Sequence, residues 1–214
     1  MMEGKRGLVL GDRDFLILNE VSRFKYILGR QIKILTGFTG ERSCDRRLKR
    51  LIDYSYLERK HILYGIPSLY FLGKNAKNIG TIRYYSYKLK LDEIVHNIAV
   101  IDTVIFLMET LGLSLSDFES ERELHSKDGF SNRKHQPDTV FKKDGKRIAV
   151  EVEFTPKSKT RFMNNIRSNF SNFDGQFWIV PKSATKVRQL IIEASYPDTT
   201  VIDWEEVSKH VRKN

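Results

Sequence analysis

Apolar and polar positions along the chain change period several times, and each change marks an element. Phe15, Leu16, Leu18 and Val21 follow Gly11-Asp12-Arg13-Asp14, a start suited to an N-cap, and predict a first helix. A second is expected over 25–35, stopping at Thr36-Gly37. A third begins near 41–43, where Cys44, Leu48, Leu51 and Ile52 recur at i, i+4, i+7 and i+8 and make an inner face. Two short runs, 56–63 and 68–72, joined through Gly65-Ile66-Pro67, read as a β-hairpin. The longest helical pattern covers 91–111, with Ile94, Val95, Ile98, Ile101, Ile105 and Met108 at apolar positions. Over 118–124, Glu119, Glu121 and Glu123 alternate with their neighbours and predict a strand. A helix over 157–170, a strand over 177–181, a helix over 185–194, a strand over 199–204 and a helix over 205–212 complete the pattern. Neither an internal repeat nor a low-complexity segment interrupts it.

One stretch organises the second half. Gln136-Pro137-Asp138-Thr139-Val140-Phe141 and Ile148 to Phe154 flank a Lys142-Lys143-Asp144-Gly145 turn, and Asp-Gly between β-prone runs is a strong hairpin signal. In the second run Ile148, Val150, Val152 and Phe154 share one face, while Ala149, Glu151, Glu153 and Thr155 share the other. Closing the hairpin sets Asp138 across from Glu151 and Glu153, with Lys157 about a turn later. Three converging acids repel unless a positive charge sits between them. A divalent cation with oxygen ligands, Mg²⁺ or Mn²⁺, fits that need. The alternation equally describes the solvated face of an edge hairpin. On the helix over 91–111, Glu93 and His96 lie one turn apart and are candidates to face the carboxylates.

Charge changes the picture of partners. Against 27 Asp and Glu stand 37 Lys and Arg, a formal net charge of +10, so polyanions are the expected partner class. Composition alone does not choose between nucleic acid and an anionic membrane surface. Cys44 is the single cysteine, which excludes an internal disulfide framework and a cysteine-rich zinc site. With no apolar run reaching the roughly 20 residues of a membrane span and no signal-peptide pattern at the start, a cytoplasmic location is expected.

Three helices and a hairpin with a cationic third helix resemble a winged helix-turn-helix, expected over 1–80. Its DNA-binding candidates are Arg42, Arg46, Arg47, Lys49 and Arg50 on the third helix and Arg59 and Lys60 on the hairpin. Residues 73–90 form the junction, where Tyr84, Tyr85 and Tyr87 interleave with Arg83, Lys88 and Lys90, a composition suited to stacking on unpaired bases. From 81 to 214 the order helix, three strands, helix, strand, helix, strand is an α/β pattern, α+β for the whole chain, and resembles the restriction-endonuclease-like fold with its mixed central sheet. Pro137-Asp138 and Glu151-Val152-Glu153 resemble the two halves of the PD-(D/E)xK motif, with Glu153 where that motif has Lys and Lys157 displaced onto the following helix.

The order of these motifs, with Ile94-Val95-His96-Asn97-Ile98-Ala99-Val100, Glu121-Arg122-Glu123-Leu124 and the Thr155-Pro156-Lys157-Ser158 tail, resembles the replication-relaxation family, which includes MOB-C type relaxases of mobilisable plasmids. That resemblance implies a metal-dependent nickase acting at an origin of transfer or replication. It implies that Asp138 and Glu151 hold Mg²⁺ or Mn²⁺, that Glu153 completes the cluster, that Glu121 adds an acidic ligand from the preceding strand, and that Lys157 positions the nucleophile. His135 is a candidate for proton transfer, and attack by water or through a tyrosine both stay open. The partners implied are origin-like duplex DNA, single-stranded DNA after nicking, accessory or coupling transfer proteins, and a second copy of the chain. Two other readings are a non-catalytic regulator of plasmid replication or transfer with a degenerate nuclease domain, and a repair or transposition endonuclease.

Overall fold

The computed structural model of the chain describes residues 8–62, 64–65, 67–80, 82, 90–129, 134–155 and 158–212. They form a mixed α/β protein, with eight α-helices and two sheets among the described residues, divided into two compact units, Met1–Leu89 and Lys90–Asn214. The division falls at the end of the expected junction over 73–90, and the start of that junction folds onto the first unit. A short 3₁₀ turn over Lys74–Asn78 is tied there by the Asn75 amide and side chain, which donate to the Ser55 and Tyr54 carbonyls at 2.9 and 2.8 Å.

The first unit runs α1 (Asp12–Phe24), β1 (Ile27–Leu28), α2 (Gly29–Leu35), α3 (Glu41–Asp53), β2 (Leu57–Lys60) and β3 (Leu69–Leu72). Its antiparallel sheet has the order β1-β3-β2. The start of α1 is fixed by Asp14, whose carboxylate accepts the Gly11 N–H at 2.7 Å. The second helix starts later than its periodicity predicts. Lys25 takes a positive φ of 71°, Ile27 and Leu28 pair with Tyr70 and Leu69, and α2 begins only where Gln31 Oε1 accepts the Leu28 N–H at 3.0 Å. The third helix buries Cys44, Leu48 and Leu51 as expected. Burial, with Asp45 nearby, pushes the Cys44 thiol up to about 11, so it behaves as a small apolar residue.

The second unit runs α4 (Leu91–Leu111), β4 (Phe118–Ser120), α5 (Glu121–Asp128), β5 (Thr139–Lys143), β6 (Lys146–Val152), α6 (Lys159–Asn172), β7 (Gly175–Val180), α7 (Thr185–Ala194), β8 (Thr199–Asp203) and α8 (Trp204–Val211). Its sheet has the order β4-β5-β6-β7-β8, with the first two pairings antiparallel and the last two parallel. The β5–β6 hairpin turns on Asp144 and Gly145 alone, at φ 51° and 76°, the paired positive values of the tight turn whose twist matches the strands. Lys142 and Lys143 belong to the strand instead.

The alternating acids after Phe118 do not continue a strand. Ser120 caps α5: its backbone N–H donates to Glu123 Oε2 at 2.7 Å while its hydroxyl accepts the Glu123 N–H, a Ser-x-x-Glu capping box that stops β4 after three residues. Opposite faces of the sheet are packed differently. Phe162, Ile166, Trp178, Val180, Val187 and Ile191 join α6, β7 and α7 on one side. On the other, Phe141 meets Phe118 and Phe177 at ring-centroid distances of 5.9 and 5.4 Å. Helix α4 has the length and apolar content of a membrane span, contrary to the expectation that no run comes close. Most of its apolar positions, from Ala99 to Leu107, are buried in the unit, which accounts for its composition.

Candidate carboxylate site

The site follows from the register of β5 on β6. Thr139 pairs with Val150, so Asp138, one residue earlier, stands opposite Glu151 at the end of the hairpin. The Val152 N–H donates to Asp138 Oδ2 at 2.8 Å and holds that carboxylate against the strand end. Asp138 Oδ1 lies 2.9 Å from His96 Nε2, which α4 supplies from its N-terminal part. Glu151 is in register with Trp178 of β7 and shares its face, beneath α6. There Glu151 Oε1 accepts from Asn169 Nδ2 at 2.9 Å and lies 2.6 Å from His135 Nε2.

The two carboxylates differ in environment. Glu151 is only 2% exposed. Its burial pushes its carboxyl above the ordinary range; the His135 hydrogen bond opposes this, the Asp138 charge adds to it, and the Asn169 hydrogen bond opposes it again. Asp138 is partly open to solvent and keeps the backbone N–H of Val152 as a donor. A buried carboxylate beside a second one is a strained electrostatic arrangement that a proton or a cation would relieve. Both carboxylates offer oxygens, the ligand type that hard divalent ions take.

The remaining candidates divide. Glu153 is buried just past the end of β6, where its backbone N–H donates to the Ile179 carbonyl at 3.0 Å. Glu121 opens α5 rather than lying on a strand, and its half-exposed carboxylate faces His125 at 3.7 Å. The strand expected over 118–124 thus ends before it. Glu93 is exposed and paired with Lys90 at 2.9 Å, while its neighbour one turn on, His96, is the residue of that pair that reaches Asp138. Lys157 lies outside the described residues, as do Arg83, Tyr84, Tyr85, Tyr87 and Lys88. Among the described residues no three His, Cys, Asp or Glu side chains are gathered as a ready-made metal cage.

Asn169 is a site residue that sequence reasoning missed. It occupies the i+7 position after Phe162 on the buried stripe of α6, with Ile166 between them, and a polar residue on an apolar stripe is the signal that marked it. Its Oδ1 is buried without a hydrogen-bond partner among the described residues.

In the first unit, α3 exposes Arg42, Arg46, Lys49 and Arg50. Arg47 is turned inward, where its guanidinium grips the buried Asp14 carboxylate of α1 and also reaches the Val9 carbonyl. On β2, Lys60 pairs with Glu58 at 2.8 Å and lies over Phe71, and Arg59 lies over Tyr70. Compared with family models, with curated proteins and with solved structures, the chain matches none.

Proposed function

We propose that the chain is a DNA-binding, metal-dependent endonuclease that nicks one strand, of the relaxase-like kind. The observation that carries this reading is the apposition of Asp138 and Glu151 at one end of the β5–β6 hairpin, the second of them buried and raised in pKa beside the first. The architecture supports it. Two antiparallel pairings followed by two parallel ones, with a helix before and helices between, follow the order of the restriction-endonuclease-like fold. In the first unit, helix, strand, two helices and a hairpin in a β1-β3-β2 sheet follow the order of a winged helix, with a cationic third helix suited to a DNA groove.

Asp138 and Glu151 are the residues that would hold Mg²⁺ or Mn²⁺, with Glu153 beside them in sequence. The bound ion supplies polarisation of the scissile phosphate and a more acidic water. The chain's own contribution is placement. Val152 N–H fixes one Asp138 oxygen, Asn169 fixes one Glu151 oxygen, and the Nε2 atoms of His96 and His135 are positioned to hold or move a proton at the carboxylates. The competing reading, a DNA-binding regulator without catalysis, is favoured by the same two histidines, since they give both carboxylates partners within the protein.

The test is incubation of supercoiled plasmids bearing or lacking the origin region of the chain's own element with Mg²⁺, Mn²⁺ or EDTA. Metal-dependent open circles confined to the origin plasmid are expected. Open circles from both plasmids would indicate a general nuclease. Binding to the same DNA without nicking would establish the regulator instead.

A further inference from the structure

The face of the second unit that carries Glu151 also carries a cluster of cations that the proposed metal chemistry does not use. Strand alternation puts Val140 and Lys142 of β5 on one side with Arg147 and Glu151 of β6, and the pairing of Glu119 with Val140 adds Glu119; Asp138, just before β5, reaches from the strand end to His96 of α4. Glu119 lies at the centre, with only 13% of its side chain exposed. Around it stand Arg147 at 3.1 Å, Lys142 at 3.8 Å and Lys127, which reaches across from α5. Partial burial raises the Glu119 carboxyl, but Lys127, Arg147 and Lys142 together hold it below the ordinary range, so it is ionised at neutral pH.

The charge does not balance. One carboxylate meets three cations, which leaves an excess of two positive charges, and their side chains are exposed to solvent: 62% of Lys127, 56% of Lys142 and 42% of Arg147. A single lysine would neutralise Glu119. The guanidinium of Arg147 is oriented from two sides, by Glu119 and by the Phe173 ring 5.2 Å away at the end of α6, so it is presented in a fixed plane. Helix α5 flanks the cluster through Lys127, and α6 flanks it through Phe173, as α6 also flanks Glu151 through Asn169. Along β5 the distance from Asp138 to Lys142 is about 13 Å, four residues at a strand's rise, or about four steps of one strand of a duplex.

The geometry points to a docking site for the sugar-phosphate backbone: Lys127, Lys142 and Arg147, arrayed on Glu119, hold phosphates within a few nucleotides of the one presented to Asp138 and Glu151. This rests on the proposed function only for the position of the scissile phosphate. Recognition is by charge and carries no sequence information, so this surface sets the path of the strand while α3 is left to read the groove.

Binding of the full-length chain to a mixed-sequence duplex, followed by fluorescence anisotropy in EDTA across a salt series, tests it without requiring cleavage. Lys127→Ala/Lys142→Ala should lower the slope of log affinity against log salt by roughly 2, about 0.9 for each phosphate no longer neutralised. Lys143→Ala/Lys209→Ala removes the same charge from the other side, since Lys143 points to the Leu111 carbonyl of α4 and Lys209 lies on α8, which packs on α4; it should leave the slope unchanged. An unchanged slope in the first variant, or an equal fall in both, would overturn the assignment and leave the cluster as a charged guard on the edge strand β4. Because the readout is binding, a chain that never nicks but shows the expected slopes would refute the nuclease reading and not this one.

Discussion

At the scale of single residues, Glu151 is the most informative group in the chain. Its folded-state pKa is raised, chiefly by burial, so the folded protein holds its proton to higher pH than the unfolded chain does. Stability must therefore fall as pH rises from the ordinary carboxylate range through that raised value. Glu151→Gln removes the ionisable group. In EDTA its melting temperature should exceed that of the wild type at neutral and alkaline pH, by about 2–4 °C for each kcal/mol relieved, and the two should converge in acid. A variant less stable than the wild type across the whole range would show that the His135 and Asn169 hydrogen bonds outweigh the burial. Mg²⁺ or Mn²⁺ should then raise the melting temperature of the wild type but not of Glu151→Gln, with about 2.7 kcal/mol available at a hundredfold excess over Kd. Asn169→Ala removes a buried partner of Glu151 and should cost about 1–3 kcal/mol, read by denaturant unfolding. Much of this site was legible in the sequence. Pro137-Asp138 and the Glu151-Glu153 alternation located the two carboxylates, because a strand's period of two fixes which side chains share a face. Asn169 was not, since a helix in sequence does not announce which sheet it will cover.

At the scale of elements, local chemistry decided where the periodic pattern misled. The alternation Glu119, Glu121, Glu123 looks like a strand, yet Ser120 and Glu123 form a capping box, and the reciprocal hydrogen bonds turn the chain into α5. Ser120→Ala should destabilise the second unit by about 1 kcal/mol, measured by thermal or denaturant unfolding; no change would remove the cap as the reason for the turn. The same signature, Ser-x-x-Glu, was present in the sequence, and the longer alternation hid it. Ile27 and Leu28 were hidden in a different way: their strand depends on β3, more than forty positions away. By contrast α4 and α7 fell where their patterns placed them, because apolar stripes are local causes; the Asp-Gly turn of the β5–β6 hairpin was equally local, although Lys142 and Lys143 joined its strand. Gly73 has a constraint of its own. A Cβ there would overlap the Ser55 carbonyl, so Gly73→Ala should unfold the first unit at lower denaturant than the wild type.

At the scale of the whole molecule, the formal net charge of +10 lies in the first unit, with 18 Lys and Arg against 8 Asp and Glu, while the second unit balances 19 against 19. In the first, Arg46 and Lys49 are exposed on α3, whereas Arg47 is committed to Asp14. Replacing Arg46 and Lys49 by Ala should weaken duplex binding and flatten its salt dependence by roughly 1 for each phosphate released. Arg47→Ala should instead lower the stability of the first unit, because it leaves a buried carboxylate uncompensated. If Arg46→Ala/Lys49→Ala binds with unaltered affinity and salt slope, α3 is not the element that meets DNA. Net charge gives an expected class of partner from composition alone; which arginine faces solvent required the fold.

The most direct measurement compares metal-dependent nicking of the origin plasmid by the wild type with that by Asp138→Asn and Glu151→Gln, isosteric changes that remove charge and little else, after duplex binding of all three has been matched. Nicking by the wild type is expected, reduced by about a hundredfold or more in each variant, the several kcal/mol expected of an ion-holding carboxylate, with binding retained. Nicking at the wild-type rate by both variants would contradict the assignment of Asp138 and Glu151 as the catalytic centre.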